Sequence, residues 1–540
     1  MSVNEKNIKK YQQTLRNYLK FQLPKILSLL DRDPYSKTYG CFDREFWHFK
    51  SKGFFNGMNQ CNIFSLALYY STEYEGNYLY KVDKLKKYIL AAIKFSINHC
   101  HRDGSFDEHY YNEHSIAATS FVLFSITETI LLLDLRYKQF LDYFEKACHF
   151  LLKNKENYIR ANHIASNVSA YYNLYLITSD KKYRQYAEEF LEDLLKYKSK
   201  EGWFREYKGC DPGYNTLTLY FLAKYALKAN DKLILDVIRE SISFSSHFMH
   251  PDHSFGGFYG SRNTMHFFPY SFEYIKMENH IGKQMVNSFI EAINSGTSEL
   301  LLDDRFCFLH LINILEIFAE FKTERPLQTF DGPLTTKWFP QAGIYIYRAH
   351  KYHAILNYKK GGILYVFKNH KLVLRFCSII VHTNHGLLKS SGFTDVSYTK
   401  TNEGFRINGV FTRYHNNKTL TPLTSLLFNL FNLTLGNIKI FRKVVKKYLI
   451  KKLILKEKTF NLHYRVDITF GNTIKLKFKI ERENPKLKIT SLRISSYNSD
   501  LYVPSGKMFQ IHDIMTGKIS LNKSIQKDIQ KDSINFTLSI

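Results

Sequence analysis

From about residue 5 to residue 325, apolar positions recur three and four apart, the spacing that lays one face of an α-helix along a core. Tyr183, Ala187, Phe190, Leu191, Leu194 and Leu195 form such a face. The pattern predicts helices over 61–73, 83–99, 115–134, 138–153, 160–178, 181–198, 215–229, 231–247, 277–295 and 306–322. The connections are short, so consecutive helices should fold as antiparallel hairpins. Five to six hairpins of this kind make an α/α toroid, whose inner-helix ends surround a cavity.

After Pro326 the apolar period drops toward two, with β-branched and aromatic enrichment. Strands are expected over 343–349, 352–358, 363–368, 372–378, 405–413, 461–469, 473–480 and 487–495. Many short strands without helices between them predict antiparallel sheets packed as a β-sandwich. The chain thus reads as a multidomain protein, α then β: a toroid over residues 1–325 and a sandwich over 326–540. One exception lies near 437–455. There Phe441, Val444, Val445, Tyr448, Leu449 and Leu453 form a stripe, with Lys443, Lys447, Lys451 and Lys452 elsewhere. Such an amphipathic helix either packs on a sheet or lies on a membrane surface.

A short phrase occurs twice, 98 residues apart: Asp103-Gly104-Ser105-Phe106-Asp107-Glu108 and Glu201-Gly202-Trp203-Phe204-Arg205-Glu206. Each copy ends a helical segment and leads through a polar loop into a long apolar helix. A loop repeated before a repeated helix predicts stacked hairpins with polar residues gathered at one shared cleft.

Composition narrows the picture. A formal charge of +27, from 76 Lys+Arg against 49 Asp+Glu, favours an acidic partner, although AT-rich coding bias produces the same excess. An anionic polysaccharide or oligosaccharide fits, as does peripheral contact with an anionic membrane, and nucleic acid is disfavoured because no basic run with interleaved stacking motifs occurs. The seven cysteines have no CxxC pair, so reduced thiols are expected rather than a disulfide framework or a zinc site. The apolar window Ile116–Leu133 is broken by Thr119, Ser120, Ser125, Thr127, Glu128 and Thr129 and reads as a core helix. Leu423–Leu435 is too short to cross a bilayer. No signal-peptide h-region is visible at the start of the sequence, which gives a cytoplasmic default and leaves non-classical export open.

Three groups carry candidate chemistry. Asn162-His163 opens a predicted helix and offers donors to a carboxylate, or else Asn162 is an N-cap. Tyr214 follows the turn Asp211-Pro212-Gly213, as a reactive phenol or as a packing wedge. Gly256-Gly257-Phe258-Tyr259-Gly260-Ser261-Arg262 precedes His266; its glycines permit close backbone approach, and Arg262 either holds an anion or ties the loop. Trp203, Glu206, Glu108, Glu113 and His114 line the repeated loops as further substrate contacts. Among the carboxylates, Glu108, Glu206 and Asp211 also keep a glycoside hydrolase in view.

With these residues in hand, the chain resembles the heparinase II/III-like family of polysaccharide lyases. The order toroid then β-sandwich matches, as does an Asn-His pair followed some fifty residues later by a Tyr: Asn162-His163 and Tyr214 are 52 positions apart. The phrases Thr38-Tyr39-Gly40-Cys41-Phe42-Asp43 and Tyr259-Gly260-Ser261-Arg262-Asn263-Thr264 are similar to a bacterial subgroup associated with surface-polysaccharide gene clusters. The resemblance implies β-elimination on a uronate-containing glycan, with Tyr214, Asn162 and His163 catalytic and no metal or cofactor. It also implies a His-rich phrase early in the β region. Here that phrase reads Arg348-Ala349-His350-Lys351-Tyr352-His353 and lacks the family's Asp, with His350 and His353 as the nearest equivalents. The alternatives are a hydrolase on the same toroid and a non-catalytic glycan-binding protein at a membrane surface.

Overall fold

The computed structural model describes the chain apart from residues 1–2, 155–159, 299, 301–302, 320, 322–324, 327, 331, 333–334, 350, 415–420, 451–457 and 498–532. Helices fill the region up to Ala319, and antiparallel strands begin at Lys337. The inner helices Asn62–Ser71, Ile116–Leu133, Ala161–Thr178, Pro212–Ala229 and Cys307–Ala319 are buried almost all round. Short helix Tyr270–Tyr274 completes their ring, which closes where Cys307–Ala319 packs on Asn62–Ser71. Outside run Asp83–His99, Leu141–Lys153, Lys181–Leu195, Lys232–Ser245 and Ile281–Ser295, each with a single apolar face. These bounds lie within a few residues of the periodicity's expectation. A long helix, Val3–Leu29, goes beyond the predicted segments and packs on Ile281–Ser295 and Cys307–Ala319.

The inner helices are parallel, with their N-termini at one end. Ser120 and Ser166 hydroxyls meet near those N-termini, and Thr127 and Asn173 meet two turns further along both helices. The loops that precede the inner helices are therefore gathered at one mouth. Each repeated phrase supplies a tight turn there. In the first, His101 N–H bonds Ser105 O and Gly104 N–H bonds His101 O; in the second, Ser199 and Trp203, then Gly202 and Ser199, do the same. Gly104 and Gly202 have φ of 78° and 93°, and a Cβ would press on the backbone of the next outer helix. The same pair of bonds recurs at His250–Ser254, with His253 at φ 68° in the glycine's place. This third copy escaped the sequence reading because the glycine is missing.

The sheets are antiparallel throughout. Five strands form a meander: Lys337–Phe339, Ile344–Ala349, Tyr352–Asn357, Ile363–Lys368 and Lys371–Phe376. An eight-stranded sheet lies against it. Alternation decides what each face touches. Ala354, Leu356, Leu364 and Val366 pack with Ile379, Phe405, Val466 and Phe478 of the larger sheet. Ile346, Ile355, Tyr365 and Phe367 join the core of the helical region. The small sheet is thus the middle layer. Strands Lys337–Phe339, Ser378–Thr383, Gly386–Lys389, Ser397–Lys400 and Ser533–Ser539 were not foreseen, and Lys337–Phe339, Gly386–Lys389 and Ser397–Lys400 are too short for period two to register.

The expected amphipathic helix is present as Lys439–Ile450, preceded by a second helix, Pro422–Leu433. Residues 451–455 of the expected segment lie outside the described residues. Of the two alternatives for this helix, packing on a sheet is not what the described contacts show: the pair packs across the first repeated loop. Ile116–Leu133 has the length and apolarity of a membrane span, but 78% of it is buried inside the fold.

Candidate active site

The second repeated loop folds as a two-stranded hairpin, Arg205–Glu206 with Gly209–Cys210, and runs into helix Pro212–Ala229. Asp211 caps this helix. Its Oδ1 accepts from Tyr214 N–H at 3.1 Å and from the Thr264 hydroxyl, while its Oδ2 accepts from Arg262 N–H at 2.7 Å. A buried carboxylate spent on these donors fixes loop 256–264 to the start of the helix. It is therefore a structural tie and not a hydrolytic group. A Cβ at Gly260 would lie 2.6 Å from Asp211 Oδ2, so glycine is required for that approach. From the other side Lys360, 2% exposed, donates to Phe258 O at 2.7 Å and to Gly260 O and Asn263 Oδ1. The glycine-dense loop is thus held by Asp211 and Lys360, where the sequence had offered Arg262 as its tie.

Asn162 is not the N-cap. Arg160 holds that position, and Asn162 lies in the first turn, where its Nδ2 donates to Glu206 Oε2 at 3.2 Å. Its Oδ1 is buried without a partner among the described residues. The His163 ring meets Phe121 edge-on at 5.7 Å. The Tyr214 ring is half-buried and stands edge-on to His266 at 5.4 Å. Arg262 is 6% exposed; its guanidinium lies over the Tyr207 ring at 4.1 Å, and that of Arg160 lies over the same ring at 5.1 Å. Tyr207 and Arg160 were missed by sequence reasoning. The only signal was their adjacency to Asn162 and Glu206, because Tyr207 is placed by a left-handed backbone (φ 55°) that no motif announces.

Burial pushes the Glu206 carboxyl up to about 8, against the opposing pull of Arg262 and Arg160. At neutral pH it is mostly a neutral acid. His266 is the reverse case. Burial, helped by neighbouring His310, holds its imidazole well below the usual range, and neither ring nitrogen has a partner among the described residues. His266 therefore presents a neutral ring edge to Tyr214 and adds no positive charge there.

The remaining candidates divide. Trp203 is 7% exposed, and its indole N–H donates to Glu201, whose carboxylate also accepts from Gln341 and Ala342 N–H. It braces the hairpin against the sheet region. In the first loop Glu108 accepts from Ser115 Oγ, and Glu113 accepts from Glu108 and His109 N–H. His114 stacks on His101 at 4.0 Å and bonds Asp103. Glu108, His109 and Glu113 bring ligand atoms within 4.8 Å of one another, and Lys446 answers their charge from 3.7 Å. His353 is buried against Phe367 with its Nδ1 on Arg348, remote in bonding from Asn162 and Tyr214 among the described contacts. His350 lies outside the described residues.

Residues 72–266, which carry all of these loops except the β-region histidines, match the family model of the ulvan lyase N-terminal domain. Over that segment the chain is similar to a polysaccharide lyase domain. The chain also resembles a solved xanthan lyase from Paenibacillus, at 12% identity and TM-score 0.50, over 91% of its own length and 46% of that protein's. It therefore spans about half of that relative, and the likeness establishes the fold: a helical toroid followed by antiparallel sheets. A chondroitin AC lyase from Streptomyces coelicolor (11% identity, 91% and 67% covered, TM-score 0.44) and a heparinase III (12%, 74% and 60%, 0.41) resemble the chain more loosely. No curated protein matches its sequence.

The raised Glu206 carboxyl gives a direct prediction. Its folded-state value, about 8, stands above the ordinary 4.5, so the neutral acid is favoured by folding. That contribution is complete below 4.5 and is lost as pH rises through 8, at up to about 1.4 kcal/mol per pH unit. Thermal melting followed over this range should show a fall in stability that Glu206→Gln removes.

Proposed function

We propose that this protein cleaves a uronate-containing glycan by β-elimination at the mouth of the toroid. The observation that carries the reading is the run of contacts from Asn162 through Glu206 and Arg262 to Asp211 and Tyr214, which joins the candidate carboxylate binder to the candidate phenol.

The proton α to a uronate carboxylate is weakly acidic until that carboxylate's charge is answered. Asn162 and His163 donate to it and stabilise the enolate-like intermediate as charge develops. Tyr214 takes the α-proton and delivers one to the departing 4-linked oxygen. Arg262 and Arg160 supply the local positive charge. Glu206 acts as a positioning residue. As a neutral acid it can donate to Asn162 Oδ1 once the amide is turned over, a choice that hydrogen bonding decides. The Nδ2 donors then face the cleft.

The test is the product. Incubation with ulvan, chondroitin and heparin should yield, on at least one of them, oligosaccharides that absorb in the ultraviolet through the new C=C bond. New reducing ends without that absorbance would assign hydrolysis instead and sink the proposal.

A further inference from the structure

The helical pair Pro422–Leu433 and Lys439–Ile450 is absent from the mechanism above, yet it holds the densest group of exposed apolar side chains among the described residues. Eleven of the 24 large apolar side chains exposed among the described residues fall between Leu423 and Tyr448. On the first helix Phe428 and Asn432 face inward: the Phe428 ring meets Tyr110 at 5.2 Å, and Asn432 O accepts from Asn112. At 100° per residue, Leu423, Leu426, Leu427, Leu430 and Leu433 fall on the opposite face, each more than half exposed. On the second helix Arg442 and Lys446 turn inward to Asp103, Asp107 and Glu113. Ile440, Phe441, Val444 and Tyr448 turn outward, 45–73% exposed. Beside that arc runs an exposed stripe, Lys439, Lys443 and Lys447, four residues apart.

Charge selects the occupant. Between Glu403 and Glu457 there are eleven Lys and Arg and not one Asp or Glu. A second copy meeting this face would set lysines against lysines. An anionic bilayer offers phosphates to the lysine stripe and acyl chains to the leucines. Neither helix is long enough to span, at about 1.5 Å per residue over 12 residues, so both would lie within the interface.

We propose that this helical pair docks the protein on an anionic membrane surface, with the leucine face in the acyl boundary and the lysine stripe at the headgroups. The inward face of the pair rests on the loop beside the toroid mouth, so docking sets that mouth at the membrane surface. The proposal is independent of the lyase reading.

The experiment is co-sedimentation of the full chain with phosphatidylcholine vesicles, with and without phosphatidylglycerol. Binding is expected to the anionic vesicles, weakened by salt, and little to the neutral ones. Each basic residue at an anionic surface is worth about fivefold in partition, so Lys439→Gln/Lys443→Gln/Lys447→Gln should lower it on the order of a hundredfold. Leu426→Ser/Leu430→Ser should abolish it. These side chains are exposed, and unchanged thermal melting of each variant would confirm an intact fold. Absence of binding by the parent protein, equal binding to both vesicle types, or variants that bind like the parent would each overturn the proposal. A dimer that Leu426→Ser/Leu430→Ser dissolves, without vesicle binding, would overturn it and give the face to a second copy.

Discussion

Tyr214→Phe is expected to lower turnover by about 10²–10⁴-fold, the usual worth of a positioned acid–base group, with little change in affinity for the glycan. The expectation rests on how firmly the ring is held. Asp211 fixes the backbone at Tyr214 and ties it to loop 256–264, and the neutral His266 edge sets the ring orientation. The substitution removes one oxygen from a half-buried ring and leaves every one of those contacts in place. The loss should therefore appear in kcat with KM nearly unchanged, read by ultraviolet absorbance of the unsaturated product. Absorbance retained at the parent rate would remove Tyr214 from the chemistry.

The second large effect is on stability. Glu128, 4% exposed in the middle of the ring, accepts from Lys224 at 2.9 Å and from Lys228 and Asn173. Lys224 also reaches Glu316 at 2.6 Å. Four inner helices meet in this cluster. Although burial alone would raise it, the two ammoniums hold the Glu128 carboxyl down to about 2. Burial and the charge of Lys224 push Lys228 down to about 8. Burial raises the Glu316 carboxyl against the opposing charge of Lys224, and the Glu128 charge adds a smaller upward push. Glu128→Ala leaves the buried Lys224 and the half-buried Lys228 with one carboxylate and should cost roughly 3–5 kcal/mol, measured as a shift of the urea midpoint. The pH arm follows from the sign. A carboxyl lowered from 4.5 to about 2 contributes fully above 4.5 and loses its contribution as pH falls toward 2. Acid sensitivity in that window should be weaker in Glu128→Ala than in the parent.

The contrast between these two sites shows what a sequence exposes. Helix and strand positions were legible because burial imposes a period on apolar residues, and Tyr183 to Leu195 or Ala354 to Leu356 carry that period plainly. Asn162 and Tyr214 were legible through their spacing. The Glu128 cluster was not: Glu128, Lys224 and Glu316 lie on three helices, and one acidic residue in an apolar run reads merely as an interruption. Glu206 was legible as a carboxylate, but its partner and raised value depend on a hairpin that closes over Asn162. The split between mobile-looking polar residues and true ties also needs coordinates. Asp211 and Trp203 look like cleft residues in sequence and serve as fasteners in space.

Lys360 bears on how such proteins can be taken apart. Its ammonium comes from the sheet region, yet its acceptors are Phe258 O, Gly260 O and Asn263 of the toroid, and Asn357 Nδ2 reaches Tyr259 O in the same loop. The loop that locks Asp211, and through it Tyr214, is therefore finished only when both halves are present. A toroid expressed alone would lose the clamp on its own candidate catalytic loop. Grafting a foreign sandwich onto it would have to reproduce one lysine and one asparagine before any question of substrate arose. In this molecule the second half is a component of the first half's working part, and modular exchange between relatives is constrained at that seam.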